Sequence, residues 1–506
     1  MAREVGSVSN FGNFNSDGLL VQAESVLNST PRADEATNAC RAVRRMGTCL
    51  LAGAALAACV AYEPKPLQPQ LSATQFAART LDAVQLREQI APILPRAAAT
   101  WPLPEWDRAE LLAFALISNR KLAVARAQLE AARAHESAVG QPANPDLTLQ
   151  SEYARHDPHP WLYGFGLDFP THSPALKHAE IDLARLGTSN AQWQYLDQVW
   201  AIRRGLVAAL SDGETAQRRT QLLEQLATAQ DRLVAVEEKR VGAGEDAPTE
   251  LLLARQARIG IAQQQAEARA GAAAAQAALA AALGVPPQAL DGVKLQWSDW
   301  GAPPTVDENR LIESREQALL SRSDLAAAIG DYAETENKLH QAVIRQYPQL
   351  QLSPGYYWDH GVAKFPFDVG FTLPLFNHRE ITEARAQRDV SGQRMLALQA
   401  DIYGDIAAAE RAETIARASA DAARQSLQSA QQQAQQAKVG LRLGALGVEE
   451  EIAAQILLLR SELEALQLRA QWQLARNALE DALHMPLSGP ELDMPKTLRV
   501  AIAGSQ

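Results

Sequence analysis

Cysteine is nearly absent from this sequence of 506 residues, which contains only Cys40, Cys49 and Cys59. The long remainder after position 59 therefore offers no thiol for a disulfide, a cysteine metal site or a cysteine nucleophile. Long apolar runs are also missing after Cys59, where nothing approaches the roughly 18 residues that a membrane-spanning helix needs. If this part of the chain crosses a membrane, we expect it to do so as strands closed into a barrel.

Aromatic residues and basic stretches are scarce as well. Aromatics make up 6% of the chain, the formal net charge is −11, and no long basic stripe is present, which argues against nucleic acid as a partner. The sequence lacks glycine-rich phosphate loops, zinc signatures and Ser/His/Asp constellations, so we predict no enzymatic activity and no cofactor. The loop segment His156-Asp157-Pro158-His159 could suggest a metal, but such loops are usually solvated, and no metal site is predicted.

One short apolar run stands out near the start of the chain. Residues 46–58 form 13 uncharged positions directly after two arginines, which is the length and flanking charge of an export signal. The run ends in Leu56-Ala57-Ala58-Cys59, which resembles the bacterial lipobox, where a signal peptidase cuts before a cysteine that is then acylated. We therefore predict lipid attachment at Cys59. A buried apolar helix with a chance cysteine is the alternative.

This interpretation divides the first part of the chain. Residues 1–58 would be a leader, and residues 59–107 a lipidated tether that contains several prolines. Residues 1–40 are neither basic nor apolar and are too long for the basic start of a signal, which suggests a translation start set too early. A natural leader extension is the other explanation.

The rest of the chain contains an internal duplication. Four pairs of segments match in the same order: ALISNRKL (115–122) with ALLSRSDL (318–325), PDLTL (145–149) with PQLQL (348–352), GLDFP (166–170) with GFTLP (370–374), and LGVPP (283–287) with LHMPL (483–487). Their offsets lie between 200 and 204 residues. This near-constant spacing indicates a tandem repeat at 108–287 and 311–487, with a linker at 288–310 and a tail at 488–506.

Both copies contain the same predicted elements. Each opens with a helix of about 30 residues (109–140 and 313–346), and a proline ends it. Runs that alternate apolar and polar residues predict strands at about 146–154, 161–169, 349–358 and 365–373, joined in pairs by the loops RHDPHP and DHGVAK. A very long proline-free helix, a glycine-containing turn and a returning helix complete each copy. The fold class is therefore mainly α with a small β part, built from a duplicated helix–β-hairpin–long helix–turn–helix unit.

Residues of about 60–490 resemble the TolC-like outer-membrane efflux channels, in their lipoprotein subclass. The resemblance rests on the duplicated strand ends Phe169-Pro170 and Leu373-Pro374, the segment LFNHREITEARAQRD (375–389), the lipobox, and two glycine turns each followed by alanine ten residues later (Gly244 to Ala254, Gly444 to Ala454). It implies a homotrimer with a twelve-stranded outer-membrane β-barrel on a long periplasmic α-helical barrel. The chain would be anchored in the outer membrane of a Gram-negative bacterium and extend into the periplasm.

The resemblance also implies a function and its partners. The protein would be the passive exit duct of a tripartite efflux pump, for drugs or metal ions delivered by an inner-membrane transporter through a periplasmic adaptor. A lipid-anchored periplasmic coiled-coil scaffold without a pore is the alternative. That scaffold would leave the alternating, aromatic-rich strands unexplained.

Three sets of site residues follow from this resemblance. The adaptor-docking tip would contain Gly242, Gly244, Gly440 and Gly444, and an acidic ring at the periplasmic gate would contain Glu250, Glu449, Glu450 and Glu451. The membrane-interface aromatics would be Trp161, Tyr163, Tyr356, Tyr357 and Trp358. Each set also has a simpler interpretation. The glycines could only cap helix C-termini, the glutamates could be acids that the first turn of a helix favours, and the aromatic residues could pack against the helices.

Overall fold

The structure is a computed structural model. It describes residues 62–94, 100–170, 173–297, 300–301, 311–312, 315, 318 and 322–494. The chain divides into two units, residues 1–70 and 71–506, and the second contains all the described strands and long helices. The predicted leader and Cys59 lie outside the described residues. Among the helices that are described, none is both long enough and apolar enough to cross a membrane.

The second unit is mostly helical, with one small sheet. The helices are α1 (Pro69–Ala77, which begins in the first unit), α2 (Val84–Ile90), α3 (Arg108–Ser118), α4 (Arg120–Val139), α5 (Pro174–Ala243), α6 (Pro248–Leu283), α7 (Ser323–Ile344), α8 (His378–Arg442) and α9 (Val448–Leu483). The strands are β1 (Asp146–Tyr153), β2 (Trp161–Pro170), β3 (Gln349–Asp359), β4 (Val362–Lys364) and β5 (Phe367–Thr372). The order of elements repeats, which confirms the duplicated unit and the mainly helical fold class.

The first helix of each copy differs from the prediction, because it is broken. Asn119 has an extended backbone (ψ 124°) between α3 and α4, and in the second copy Arg322 has the same conformation (ψ 127°) before α7. These two residues are 203 positions apart and lie inside the first pair of repeated segments. The Asn119 side chain donates to the Ala282 carbonyl near the end of α6, and that of Arg322 to the Ala482 carbonyl near the end of α9. The break thus places a buried donor against the last turn of the returning helix, whose carbonyls lack helical partners.

We expect Asn119→Ala to lower the free energy of unfolding by about 2–4 kcal/mol, because it removes two interactions. The side-chain oxygen caps α4 by accepting from the Lys121 amide at 2.8 Å, and the amide nitrogen is 2.7 Å from the Ala282 oxygen. A lost N-cap costs about 1 kcal/mol, and an unsatisfied buried carbonyl about 1–3 kcal/mol. Chemical denaturation measures the change. Asn119→Ser keeps a capping oxygen and should lose mainly the second part; equal stability of Asn119→Ala and the wild type would contradict this account.

The two long helices contain no proline after their first turn. α5 has 70 residues and α8 has 65, so at 1.5 Å per residue each extends about 100 Å. Each packs along its returning helix, α6 or α9, and α5 also packs against α9. Leu223 and Leu226 of α5 share a buried apolar cluster with Ile261 of α6 and Ile452 of α9. The two copies are thereby joined along the helical hairpins.

The sheet joins the two copies at one end of these hairpins. β1 pairs with β2, β2 with β3, and β3 with both β4 and β5, all antiparallel. β4 and β5 are successive pieces along the same edge of β3, so the sheet is four strands wide. The segment 359–364 is not the loop that the sequence predicted. It contains a two-residue turn at His360 and Gly361, both at positive φ as tight hairpins require, with the strands continuing on either side.

Candidate functional site

The sheet has two chemically different faces. Successive side chains alternate between faces and paired residues share one, so the register assigns the strand residues. The apolar face is formed by Leu147, Leu149, Ser151, Tyr153, Trp161, Tyr163, Phe165, Leu167, Phe169, Leu350, Leu352, Pro354, Tyr356, Trp358, Ala363, Phe367, Val369 and Phe371. The polar face is formed by Asp146, Thr148, Gln150, Glu152, Leu162, Gly164, Gly166, Asp168, Gln349, Gln351, Ser353, Gly355, Tyr357, Asp359, Val362, Lys364, Asp368, Gly370 and Thr372.

The apolar face is exposed in the single chain. Leu149 is 75% exposed, Phe367 62% and Trp161 54%. The aromatic rings contact one another across strands, with centroids 4.9 Å apart for Tyr153 and Trp161 and 6.3 Å for Phe165 and Tyr356. An exposed apolar surface of this extent marks a site of contact with protein or membrane.

Four of the five predicted interface aromatics lie on this apolar face, but Tyr357 does not. Tyr356, Tyr357 and Trp358 are consecutive in β3, and consecutive strand residues point to opposite faces. The ring of Tyr357 lies over Gly164 and Gly166 on the polar face. A Cβ on Gly164 would come within 2.4 Å of its Cδ1 and 2.2 Å of the Tyr356 carbonyl oxygen. These glycines therefore make room for the close approach of β3 and its tyrosine.

Both edges of the sheet are open in the part of the chain that the structure describes. There β1 pairs only with β2, while β4 and β5 pair only with β3. The outer backbone amides and carbonyls of these strands thus lack strand partners within one chain. Open edges of this kind recruit further strands.

The opposite end of the helical hairpins contains the two predicted glycine turns. Gly244 (φ 74°) caps α5, and Gly444 (φ 71°) lies in the turn between α8 and α9, so both adopt the left-handed conformation that glycine favours. Gly242 lies within the last turn of α5, where a Cβ would meet nothing within 4 Å. Gly440 lies in the last turn of α8, with the Leu446 side chain packed on it. The C-cap interpretation therefore applies to the turns at Gly244 and Gly444.

The predicted acidic ring residues differ in their surroundings. Glu449 forms an ion pair with Arg240 of α5, and Glu451 pairs with Arg232 of α5 at 3.1 Å. The Glu450 side chain folds back towards Gly447, and Glu250 is exposed in the first turn of α6. Two of the four carboxylates are thus partly neutralised by arginines from the other copy, because α5 packs against α9.

Sequence reasoning missed a buried acid beside these residues. Glu237 of α5 is 4% exposed, and one oxygen each from Glu237, Asp246 and Glu449 lie within 4.8 Å of one another. Burial, followed by the negative charges of Glu449, Asp246 and Glu250, raises the pKa of Glu237, and Arg240 opposes the shift. No local signal marks Glu237, since it differs from its exposed neighbour Glu238 only in the direction it faces on the helix.

Several solved structures have the same fold. The CmeC outer membrane channel of Campylobacter jejuni aligns at 16% identity with a TM-score of 0.61, covering 79% of this chain and 90% of that one. The MtrE outer membrane channel of Neisseria gonorrhoeae, in its open state, aligns at 16% identity with a TM-score of 0.59, covering 75% and 89%. The outer membrane protein VceC of Vibrio cholerae aligns at 17% identity with a TM-score of 0.61, covering 75% and 97%. A comparison with curated protein sequences gives no significant match.

The fold of the chain is therefore that of the outer-membrane channels. Residues 315–483, about a third of the chain, match the family model described as outer membrane efflux protein. The segment similar to this family covers most of the second copy. These findings confirm the resemblance to the outer-membrane efflux channels, while the assignment to their lipoprotein subclass stays a prediction.

Proposed function

We propose that this protein is the outer-membrane channel of a tripartite efflux pump, a passive exit duct rather than an enzyme. The observation that carries the proposal is the sheet with one apolar, aromatic face, one polar face and two open edges. Exposure of the apolar face to water is unfavourable, and so is exposure of the unpaired backbone groups at the open edges to lipid. Both problems disappear if several copies close their sheets into a barrel with the apolar face towards lipid.

Closure requires more than one chain. The sheet is four strands wide, and three copies would supply twelve strands, an even number within the range of bacterial outer-membrane barrels. β1 of one copy would pair with the β4 and β5 edge of the next, leaving no edge unpaired. The polar face, with its glycines, would then line the lumen.

The aromatic residues fit such an arrangement at the barrel surface. Trp161, Tyr163, Tyr356 and Trp358 would sit on the lipid side towards the hairpin turns, where outer-membrane barrels place their aromatic girdles. The long helices α5 and α8 begin near the strand ends that lie opposite to the hairpin turns. They extend about 100 Å, long enough to reach through a periplasm. The lipid on Cys59 would anchor the chain in the same membrane.

The helix turns at the far end would meet the other pump components. Gly242, Gly244, Gly440 and Gly444 lie at or beside the turns, and the exposed backbone there suits docking of a periplasmic adaptor, which an inner-membrane transporter would feed. Glu250, Glu449, Glu450 and Glu451 would form the acidic ring at the gate, with Glu250 and Glu450 as its more accessible members. The exported compound, a drug or a metal ion, would be selected by the transporter.

Native mass spectrometry of protein extracted from outer membranes tests this function. We expect a trimer whose subunits begin at Cys59 and carry acyl chains. A lipidated monomer would contradict the channel and favour the pore-free scaffold instead. An unlipidated chain that retains the leader would contradict the anchor but not the channel.

A second prediction concerns ion selectivity in planar lipid bilayers. Removing the accessible acids with Glu250→Gln and Glu450→Gln should lower the cation-to-anion permeability ratio severalfold, because threefold symmetry multiplies each lost charge around the pore. The control is Glu63→Gln, which removes a carboxylate from the tether and should leave selectivity unchanged. An unchanged ratio in the double variant would exclude these residues from the ring.

A further inference from the structure

The cluster of Glu237, Asp246 and Glu449 joins three segments of the chain at the glycine-turn end. Glu237 comes from the last turns of α5, Asp246 from the turn that follows, and Glu449 from the first turn of α9. One carboxylate oxygen of each lies within 4.8 Å of the other two. The three oxygens therefore converge on one point between the first and the second copy.

Glu237 gives this cluster a feature that an ordinary acidic surface lacks. The residue is 96% buried, and its Oε2 has no hydrogen-bond partner among the described residues. A buried carboxylate oxygen without a hydrogen-bond donor is disfavoured. Its position therefore favours either a positive partner among the three converging oxygens or a proton on Glu237 itself.

Arg240 supplies that partner only in part, because its charge acts on Glu237 but no hydrogen bond joins it to the Glu237 Oε2. Its guanidinium is engaged by Asp246, with Nη2 at 3.2 Å from Oδ1, and by Glu449. Glu245 and Glu250 add further negative charge nearby, so five carboxylates face one guanidinium. The local formal charge is strongly negative even with Arg240 present, and a divalent cation would reduce it.

We propose that Glu237, Asp246 and Glu449 bind one divalent cation of the Ca²⁺ class in each chain. An all-carboxylate oxygen set is the ligand type that hard divalent cations prefer. Two oxygens about 2.3–2.6 Å from a shared ion can be up to about 5 Å apart, and the three oxygens of the cluster, all within 4.8 Å of one another, fall inside that limit. Mg²⁺ demands near-ideal octahedral geometry and gives up its water reluctantly, so it suits this set less well, and water would complete the coordination of Ca²⁺.

The bound cation would connect the two copies at the end furthest from the sheet. Because the ligands come from α5, its turn and α9, binding would hold the helical hairpins together where the apolar cluster of Leu223 and Ile452 ends. This site does not depend on the proposed channel function. A scaffold without a pore could bind the ion in the same way.

Calcium titration of the full-length protein in detergent, after EDTA treatment, tests the proposal. We expect isothermal titration calorimetry to give one Ca²⁺ per chain with a dissociation constant of about 10⁻⁴–10⁻³ M, the range of extracellular calcium-binding modules. The thermal unfolding midpoint should rise with Ca²⁺ and less with Mg²⁺ at the same concentration. No Ca²⁺ uptake by the wild type in this range would overturn the site and mean that Glu237 is neutralised by a proton.

The matched variants are Glu237→Gln and Glu238→Gln, which remove neighbouring carboxylates of the same helix. Glu237→Gln keeps the side-chain shape and should weaken Ca²⁺ binding about tenfold or more, as should Asp246→Asn. Glu238 is exposed and pairs with Arg255 at 2.7 Å, so Glu238→Gln should bind Ca²⁺ like the wild type. Equal affinities in all three variants would mean that Ca²⁺ binds elsewhere on the acidic surface and would overturn the proposal.

Discussion

Replacing Arg203 with methionine should lower the free energy of unfolding by about 3–5 kcal/mol, because it leaves two buried carboxylates without their counter-charge. Arg203 is 2% exposed and lies in α5. Its Nη2 is 2.6 Å from Glu480 Oε2 and 2.7 Å from Glu491 Oε2, and both glutamates are 1% exposed. The guanidinium also lies 4.8 Å from the ring of Trp200. Denaturant unfolding at neutral pH measures the loss.

The charges in this cluster depend on one another. Burial by itself would raise the pKa of Glu491, but Arg203, with Arg108 as the second contributor, holds that pKa below its ordinary value. Without Arg203, Glu491 would take up a proton more readily, so the variant should lose less stability at acidic pH than at neutral pH. Adding Glu480→Gln and Glu491→Gln to Arg203→Met should recover part of the loss, because no buried charge of the triad would then be unpaired.

The next residue provides the control for Arg203. The side chain of Arg204 is 58% exposed and pairs with Asp481 at 3.0 Å. Solvent-exposed ion pairs contribute about 0–1 kcal/mol, so Arg204→Met should have a small effect. Equal losses for the two variants would contradict the buried triad as the cause.

The long-range architecture was predictable from sequence because its signals are local and repeated. The absence of proline predicts the long helices α5 and α8, and alternation of apolar with polar residues predicts the strands. The duplication then predicts each of these elements in both copies. The position of Tyr357 was also accessible, since alternation assigns it to the face opposite to Tyr356 and Trp358. The tight turn at His360 and Gly361 was overlooked, although a polar residue followed by glycine between two alternating runs is a hairpin signal.

Other features depend on contacts between distant segments and carry no local signal. Asn119 breaks a helical pattern because its amide reaches the Ala282 carbonyl 163 residues away. Glu449 and Glu451 look like free acids in the sequence, and only the packing of α5 on α9 brings Arg240 and Arg232 against them. The buried triad likewise joins residues almost 290 positions apart. The sequence therefore indicated where the candidate site lies but not how its charges are paired.

The second large effect is a loss of stability at acidic pH that His484 causes. His484 is 6% exposed and stacks on Trp200, with ring centroids 5.1 Å apart. Burial, and next the charge of Arg322, lowers its pKa to about 4, against the opposing charges of Asp324 and Asp481. Arg204 adds a smaller contribution in the same direction as Arg322. The imidazole is therefore neutral in the folded protein at pH values where an unfolded chain would protonate it.

The direction of the effect follows from the two pKa values. Above pH 6.5, the ordinary value, His484 is neutral in both states and contributes no pH dependence. Between pH 6.5 and about 4 only the unfolded state takes up the proton, so stability falls by about 1.4 kcal/mol per pH unit and by about 3 kcal/mol in total. His484→Asn removes this contribution, and asparagine tolerates the positive φ of 48° at this position.

The measurement compares the pH dependence of unfolding in matched proteins. Other groups titrate in both proteins, so the difference between the wild-type and His484→Asn curves isolates the histidine. That difference should change by about 2 kcal/mol between pH 7.5 and pH 5, with the wild type losing more. His378→Asn, at an exposed histidine at the start of α8, should follow the wild type. Parallel curves for the wild type and His484→Asn would mean that the pKa of His484 is the same in the folded and the unfolded chain, which would contradict this account.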